Sequence, residues 1–234
     1  MLIKFNEDDF KKLKIISTLQ NSVKIENNFK TFNTEETISI YSRFNLNDDI
    51  EINILYLDRF IKLLEYYNNS FEYDKENNCL NFNNSVSKSK LNLCEDEFVV
   101  IDMDKVEKEK LQQKIICSFE LKKEELQEIR KLEKMMGLNQ TYFKIDNGKI
   151  HIGSNGSENI TKDFTSLELN HKIEDNKIND IYYLNEFVNI PTDDYSINIC
   201  EMMVSEEDSI KTFEIISKNI VMKYKIAVNM VDND

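Results

Sequence analysis

The sequence predicts an α+β protein built from two tandem copies of one unit. Three observations carry this. The same order of strand-like and helix-like segments occurs twice. The spacing between matching segments drifts in one direction only. The 234 residues, 41% hydrophobic and 31% charged, allow a sizeable core spread over one or two domains.

One proline and four glycines punctuate the chain, so asparagine must make many of the turns. The first half opens with the strand-like Leu2-Ile3-Lys4-Phe5. The spacing of Phe10, Leu13, Ile16 and Leu19 predicts a helix over Glu7–Leu19. Val23-Lys24-Ile25-Glu26 alternates like a strand and runs into an Asn27-Asn28 turn. Alternation resumes through Thr37–Tyr41 and Ile50–Ile54, and a second helix is predicted over Tyr56–Leu64. Short strands around Phe71–Tyr73, Leu80–Phe82 and Lys90–Leu93 close the half.

The second half repeats the order. Ser118–Leu121 reads as the opening strand, and Lys122–Met136 as a helix on Leu126, Ile129, Leu132 and Met136. Phe143–Asp146 leads into Asn147-Gly148, the strongest hairpin signal in the chain. Further strands are predicted at Phe164–Leu169 and Ile178–Tyr183, with a short fourth helix near Leu184–Asn189. Strands at Tyr195–Cys200, Ile210–Ile216 and Ile220–Val228 finish the chain. Phe10 matches Leu126, Asn27 matches Asn147 and Tyr56 matches Tyr183, at separations of 116, 120 and 127 residues. That steady growth fits a duplication whose second copy has longer loops.

The charge-dense segment Glu95–Lys114 reads as a connector, which gives domains of residues 1–106 and 107–234. These hold 13 basic and 19 acidic residues, and 17 basic and 24 acidic residues. The net charge of −13 is thus shared evenly, and a simple polycationic nucleic-acid binder is excluded.

Little in the chain suggests catalysis. Cys79, Cys94, Cys117 and Cys200 lie at least 15 residues apart and read as buried thiols of a reducing compartment. His151 reads as a strand residue and His171 as a loop residue, neither at metal-ligand spacing. Gly153-Ser154-Asn155-Gly156-Ser157 lacks the helix and Lys-Ser/Thr of a phosphate cradle and reads as a hairpin loop. Glu206-Glu207-Asp208 reads as a solvated loop, and Asn139-Gln140-Thr141 as a chance triplet. No apolar run approaches the ~18 residues of a membrane span, and the N-terminus lacks the apolar stretch of a signal peptide. The expectation is a non-enzyme with no cofactor, metal or membrane partner.

The basic residues are more informative. On a helical projection at about 100° per residue, the apolar side of Lys122–Met136 includes Met135 and Met136. Lys123, Arg130, Lys131 and Lys134 lie opposite it. On the first helix Lys11 and Lys14 point away from the apolar side, and on the second helix Arg59 and Lys62 do so. The fourth helix has no basic residue. Any surface helix carries lysines on its outer face. Basic charge on equivalent helices of an acidic protein nevertheless suits a molecule that holds a polyanion in one place and repels it elsewhere.

In order and spacing, nearly the whole chain resembles the sliding clamps of DNA replication. It is most similar to the DNA polymerase processivity factor of contractile-tailed bacteriophages. The residues that carry the resemblance are Ile50–Leu64, Phe119–Ile152 and the final YLNEFVNIP…YSINI run. The resemblance implies two sliding-clamp domains, with antiparallel sheets outside and helices lining a homotrimeric ring around duplex DNA, whose sequence is not read. It further implies an ATP-dependent clamp loader, a tethered replicative polymerase, contact with the late-transcription machinery, and residence in the cytoplasm of an infected bacterial host. Carried over by position, the DNA-facing residues are Lys11, Lys14, Arg59, Lys62, Lys123, Arg130, Lys131 and Lys134. The apolar run Phe98-Val99-Val100-Ile101 in the connector is the candidate groove for partner peptides. The Asn/Lys/Ile bias fits an AT-rich phage genome. Two other readings remain beside this one: a monomeric processivity factor that binds DNA on one basic face, and a non-enzymatic assembly protein.

Overall fold

The computed structural model describes residues 1–26, 28–32, 38–44, 50–95, 113–156, 163–172, 178–184, 187, 189–203, 209–219 and 222–228. The chain divides into two compact units. Unit 1 is Met1–Met103 with Ile220–Met222, and unit 2 is Asp104–Asn219 with Lys223–Asp234. The Phe98–Ile101 run, the Asn27 turn position, the Glu206–Asp208 run and most of the connector lie outside the described residues.

Unit 1 runs β1 (Leu2–Lys4), α1 (Glu7–Leu19), β2 (Val23–Ile25), β3 (Asn28–Phe32), β4 (Ile38–Arg43), β5 (Ile52–Ile54), α2 (Leu57–Tyr66), β6 (Ser70–Asp74), β7 (Cys79–Asn83) and β8 (Lys88–Asn92). Unit 2 runs β9 (Gln113–Leu121), α3 (Lys123–Met136), β10 (Gln140–Asp146), β11 (Lys149–Asn155), β12 (Phe164–Lys172), β13 (Asp180–Tyr183), β14 (Tyr195–Met203), β15 (Ser209–Ser217) and β16 (Met222–Ala227).

The duplication is visible in the ladders as well as in the order. In unit 1 the antiparallel pairs are β1–β6, β6–β7, β7–β8, β2–β5 and β3–β4. Unit 2 repeats each of them as β9–β14, β14–β15, β15–β16, β10–β13 and β11–β12. In unit 2 the β10–β11 hairpin completes a four-stranded sheet in the order β12-β11-β10-β13. Its turn is the expected Asn147-Gly148, with φ of 50° and 74°, the left-handed pair that a two-residue hairpin requires. Among the described residues every non-glycine with positive φ is an asparagine: Asn68, Asn69, Asn78 and Asn147.

Each unit is held by an aromatic cluster. Phe60 of α2 contacts Phe5, Phe71 and Phe82 at ring-centroid separations of 6.1, 5.7 and 6.2 Å. In unit 2, Phe143 contacts Phe119, Phe187 and Phe213 at 5.6, 5.3 and 5.4 Å. Phe60 and Phe187, six and four residues past the ends of β5 and β13, are both fully buried. Full burial of one such ring contributes about 1.5–3 kcal/mol.

Four sequence expectations are corrected. At the expected fourth helix the described backbone bonds have 3₁₀ spacing, with Phe187 N–H bonded to the Leu184 carbonyl at 3.1 Å and Ile190 N–H to the Phe187 carbonyl at 3.2 Å. Pro191 ends it, because proline has no N–H to extend a helix and restricts the residue before it. Gly153, Ser154 and Asn155 belong to β11, not to a hairpin loop. A Cβ on Gly153 would lie within 3.0 Å of the Tyr142 phenol ring and of the Thr165 carbonyl oxygen. The glycine is therefore set by the cross-strand tyrosine, its register partner. His171 lies in β12. Strand β3, which the sequence reading did not contain, pairs with β4. No helix among the described residues is long and apolar enough to cross a membrane.

Candidate nucleic-acid interface

Helix α1 starts where Asn6 caps it, its side-chain oxygen accepting from Asp9 N–H at 2.8 Å. Glu7, Asp8 and Asp9 fill the first turn, where the helix dipole favours negative charge. Leu13 and Ile16 are fully buried, and Lys11 and Lys14 are exposed. Neither lysine is unpaired. Lys11 lies 3.6 Å from Asp8, and Lys14 lies 2.6 Å from Glu65 of α2. Lys14 also sits 4.6 Å from the Phe10 ring centre.

Helix α2 buries Leu57, Phe60, Ile61 and Leu64 and exposes Arg59 and Lys62. Lys62 lies 3.5 Å from Asp58, one turn earlier. The Arg59 guanidinium rests 4.5 Å from the Tyr56 ring centre, a cation–π contact at an exposed site.

Helix α3 buries Leu126 and Ile129 and ends at Gly137, whose φ of 67° gives the left-handed C-cap. The Glu125 carboxylate accepts from Lys122 N–H at 2.9 Å and from Asn170 N–H of β12 at 3.2 Å. Lys123, Lys131 and Lys134 are exposed, and among the described residues none of the three makes an ion pair. Met135 and Met136, expected on the buried side, are 72% and 45% exposed. They sit in the final turn beside the C-cap, after the buried contacts of Leu126 and Ile129.

Arg130 departs from its expected place on the exposed basic face. It donates to the carbonyls of Phe187 and, at 3.5 Å, Ile190, and its guanidinium lies 5.5 Å from the Phe187 ring centre. It also lies 3.7 Å from the carboxylate of Glu133, which is itself buried and accepts from the Thr141 hydroxyl at 2.9 Å. Burial pushes the guanidinium below its usual pKa, while Glu133 opposes that shift. Arg130 thus gives the Phe187 carbonyl a second donor beside Ile190 N–H and supplies one to the Ile190 carbonyl at the end of the turn.

Helix α1 also carries a buried ion pair on its apolar side, beyond the exposed lysines expected from the sequence. Asp9 and Lys12 are 0% and 2% exposed, with carboxylate and ammonium 3.1 Å apart. Asn6 donates to Asp9 at 2.9 Å, and Lys12 lies 5.8 Å from the Phe44 ring centre. The signal was present. On the projection of α1 these two residues fall at about 260° and 200°, inside the apolar sector centred near 240°.

The described residues contain no cluster of three or more His, Cys, Asp and Glu placed to hold a metal ion. What the helices present is a set of exposed ammonium and guanidinium groups, suited to ionic contact with a polyanion.

No family model matches the sequence, and no curated relative matches it. Solved structures do match. The PCNA2–PCNA3 complex of Sulfolobus tokodaii aligns over 98% of this chain and 99% of that one, with a TM-score of 0.63 at 13% identity. The A. fulgidus PCNA bound to the C-terminal region of FEN-1 aligns over the whole of both chains, at 0.60 and 10%. A putative DNA polymerase III beta subunit from Eubacterium rectale aligns over all of this chain but 65% of its own, at 0.65 and 11%.

This chain has the sliding-clamp fold. The likeness runs from end to end, so both units, each with its own repeat of the ladders, belong to that fold. Among the described residues, the exposed cations on α1 and α2 are mostly engaged with neighbouring carboxylates, and the exposed lysines of α3 are not.

Proposed function

We propose that this protein is a sliding clamp that closes as a homotrimeric ring around duplex DNA and tethers the replicative DNA polymerase. The observation that carries the reading is the end-to-end match to clamp structures at identities of only 10–13%. The placement of exposed lysines on helices of a protein with net charge −13 supports it. Lys11, Lys14, Arg59, Lys62, Lys123, Lys131 and Lys134 are the proposed phosphate contacts, with Arg130 in a supporting role behind them. Such contacts position a protein on DNA without reading sequence, and they remain mobile and salt-sensitive.

In this reading the clamp has no catalytic group and no cofactor. An ATP-dependent loader opens it, and domain 1 (residues 1–106) and domain 2 (residues 107–234) share the ring. Phe98-Val99-Val100-Ile101 would receive partner peptides. The A. fulgidus PCNA, which is bound to a C-terminal region of FEN-1, supports the capture of a partner's terminal segment by a protein of this fold. The composition supports a bacteriophage origin, with action in the cytoplasm of the infected host and a further contact to late transcription. A gene for a replicative polymerase or a loader beside this one would support that origin.

Solution mass and processive synthesis test the reading together. A trimer of about 83 kDa, three times the 27.7 kDa chain, is expected by light scattering. Longer products should form on primed circular DNA when the cognate loader and polymerase are present. A monomer that still stimulates synthesis would point to the open processivity factor. An oligomer without stimulation would point to the assembly protein.

A further inference from the structure

We infer that the helix face of unit 1 is held neutral by its own carboxylates, so that unit 2 supplies most of the DNA grip and Asp58 and Glu65 restrain that of unit 1. The inference rests on the clamp reading above. The exposed charges of α1 and α2 are Glu7, Asp8, Asp58 and Glu65 against Lys11, Lys14, Arg59 and Lys62, four of each sign. Three of the four cations are paired at 3.6, 2.6 and 3.5 Å. On α3 the exposed acids are Glu124 and Glu128, against the exposed lysines Lys123, Lys131 and Lys134, none of which forms an ion pair among the described residues.

The consequence follows from screening. The charge–charge separations in the three pairs are well under the Debye length of ~8 Å at physiological salt. At the distance of a phosphate each pair therefore acts as a small dipole and not as a free cation. A phosphate that binds Lys14 or Lys62 meets Glu65 or Asp58 at close range and must compete with it for the ammonium. Counterion release from DNA counts cations that engage phosphate, with a slope near −0.9 per contact. A paired lysine contributes little to that slope until its acid is removed. Arg59, which rests on Tyr56 and has no acidic partner among the described residues, is the one cation of this face left available. A weak contact on one unit beside a stronger one on the other would let the ring track DNA without a deep energy well.

The test measures binding to linear duplex DNA against salt, for the full-length protein and two isosteric variants. Glu65→Gln and the pair Asp58→Asn/Glu65→Gln free one and two lysines without changing shape. The expected result is tighter binding and a log K against log[salt] slope steeper by roughly 0.9 for each lysine recruited. Unchanged affinity and slope in the double variant would overturn the inference. Lys131→Glu/Lys134→Glu, measured in parallel, separates it from the clamp reading. If that pair weakens binding and the acid variants do nothing, the clamp reading stands and the inference falls. If neither set changes binding, these helix faces do not meet DNA and both fall.

Discussion

Arg130 of α3 donates to the backbone carbonyl of Phe187 while its guanidinium lies 5.5 Å from the Phe187 ring centre. One side chain thus holds both the backbone and the side chain of the residue that anchors the 3₁₀ turn in the unit 2 core. Unit 1 needs no such device, because α2 runs ten residues and satisfies most of its own carbonyls.

Arg130→Lys should therefore cost stability while leaving the charge in place. Lysine offers no planar fork for two carbonyls and leaves Glu133 less well matched. A loss of about 1–3 kcal/mol is expected in urea unfolding, as for a hydrogen bond to a charged group. The salt dependence of DNA binding should not change. A variant that unfolds like the parent protein but binds DNA with a shallower slope would return Arg130 to the DNA-facing set.

The buried Asp9–Lys12 pair should show the asymmetry of enclosed charges. Asp9→Ala leaves the ammonium of Lys12 without its carboxylate and should cost about 3–5 kcal/mol. Asp9→Leu with Lys12→Met removes both charges from an apolar setting beside Phe44 and should cost much less. Denaturation of the singles and the double gives the coupling directly. A double variant as unstable as the worse single would contradict the account.

Gly153→Ala should destabilise unit 2 although its backbone conformation is ordinary for a strand. The added methyl meets a tyrosine ring, which can turn, and the Thr165 carbonyl, which cannot. A cost of about 1–3 kcal/mol is expected. Tyr142→Ala in the same chain should recover only the part owed to the ring. Full recovery would mean that the carbonyl contact is not limiting.

Much of the fold was legible because period and turn chemistry agreed. Helix α1 lies over Glu7–Leu19 as its apolar spacing predicts, and Asn147-Gly148 forms the hairpin turn its residue types require. The 3₁₀ turn was not legible as such, since Phe187 marks a buried position equally well on a full helix or on one turn. The candidate site was legible only as a set of positions. A projection gives direction but not reach. It placed Arg130 opposite the apolar side without showing that a long side chain could bend back to carbonyls 57 and 60 residues away. Nor could it show that Lys14 would meet Glu65, an acid from another helix.

Stability should fall in alkaline solution. Burial pushes the Cys117 thiol up to about 11, from an ordinary value of 9.0. Burial raises the Tyr182, Tyr195 and Tyr224 phenols as well, with the Asp180 carboxylate adding to the rise at Tyr182. A folded state that holds these protons more tightly than the unfolded chain is fully stabilised below the unfolded pKa values and loses that stability as pH rises above them. The thermal midpoint should hold to about pH 9 and drop by about pH 10.5, and Cys117→Ala should flatten the early part of the fall. A midpoint that rises over that range would contradict the buried, protonated assignment.

The sharpest separation between structural cations and the proposed DNA-facing ones lies within α3 itself. Lys123, Lys131 and Lys134 are exposed and without ion pairs among the described residues, whereas Arg130 on the same helix is spent on the turn. Reversing the three lysines to glutamate moves six units of charge per chain on the surface and touches no buried contact. The fold and the proposed trimer should survive, because Leu126 and Ile129 carry the packing of α3. DNA binding should weaken at all salt concentrations, and processive synthesis should shorten most at higher salt, where the remaining contacts are screened. Cations that merely keep a surface soluble would give no such dependence. Normal processivity of the trimeric variant across a salt series would show that these lysines do not face DNA.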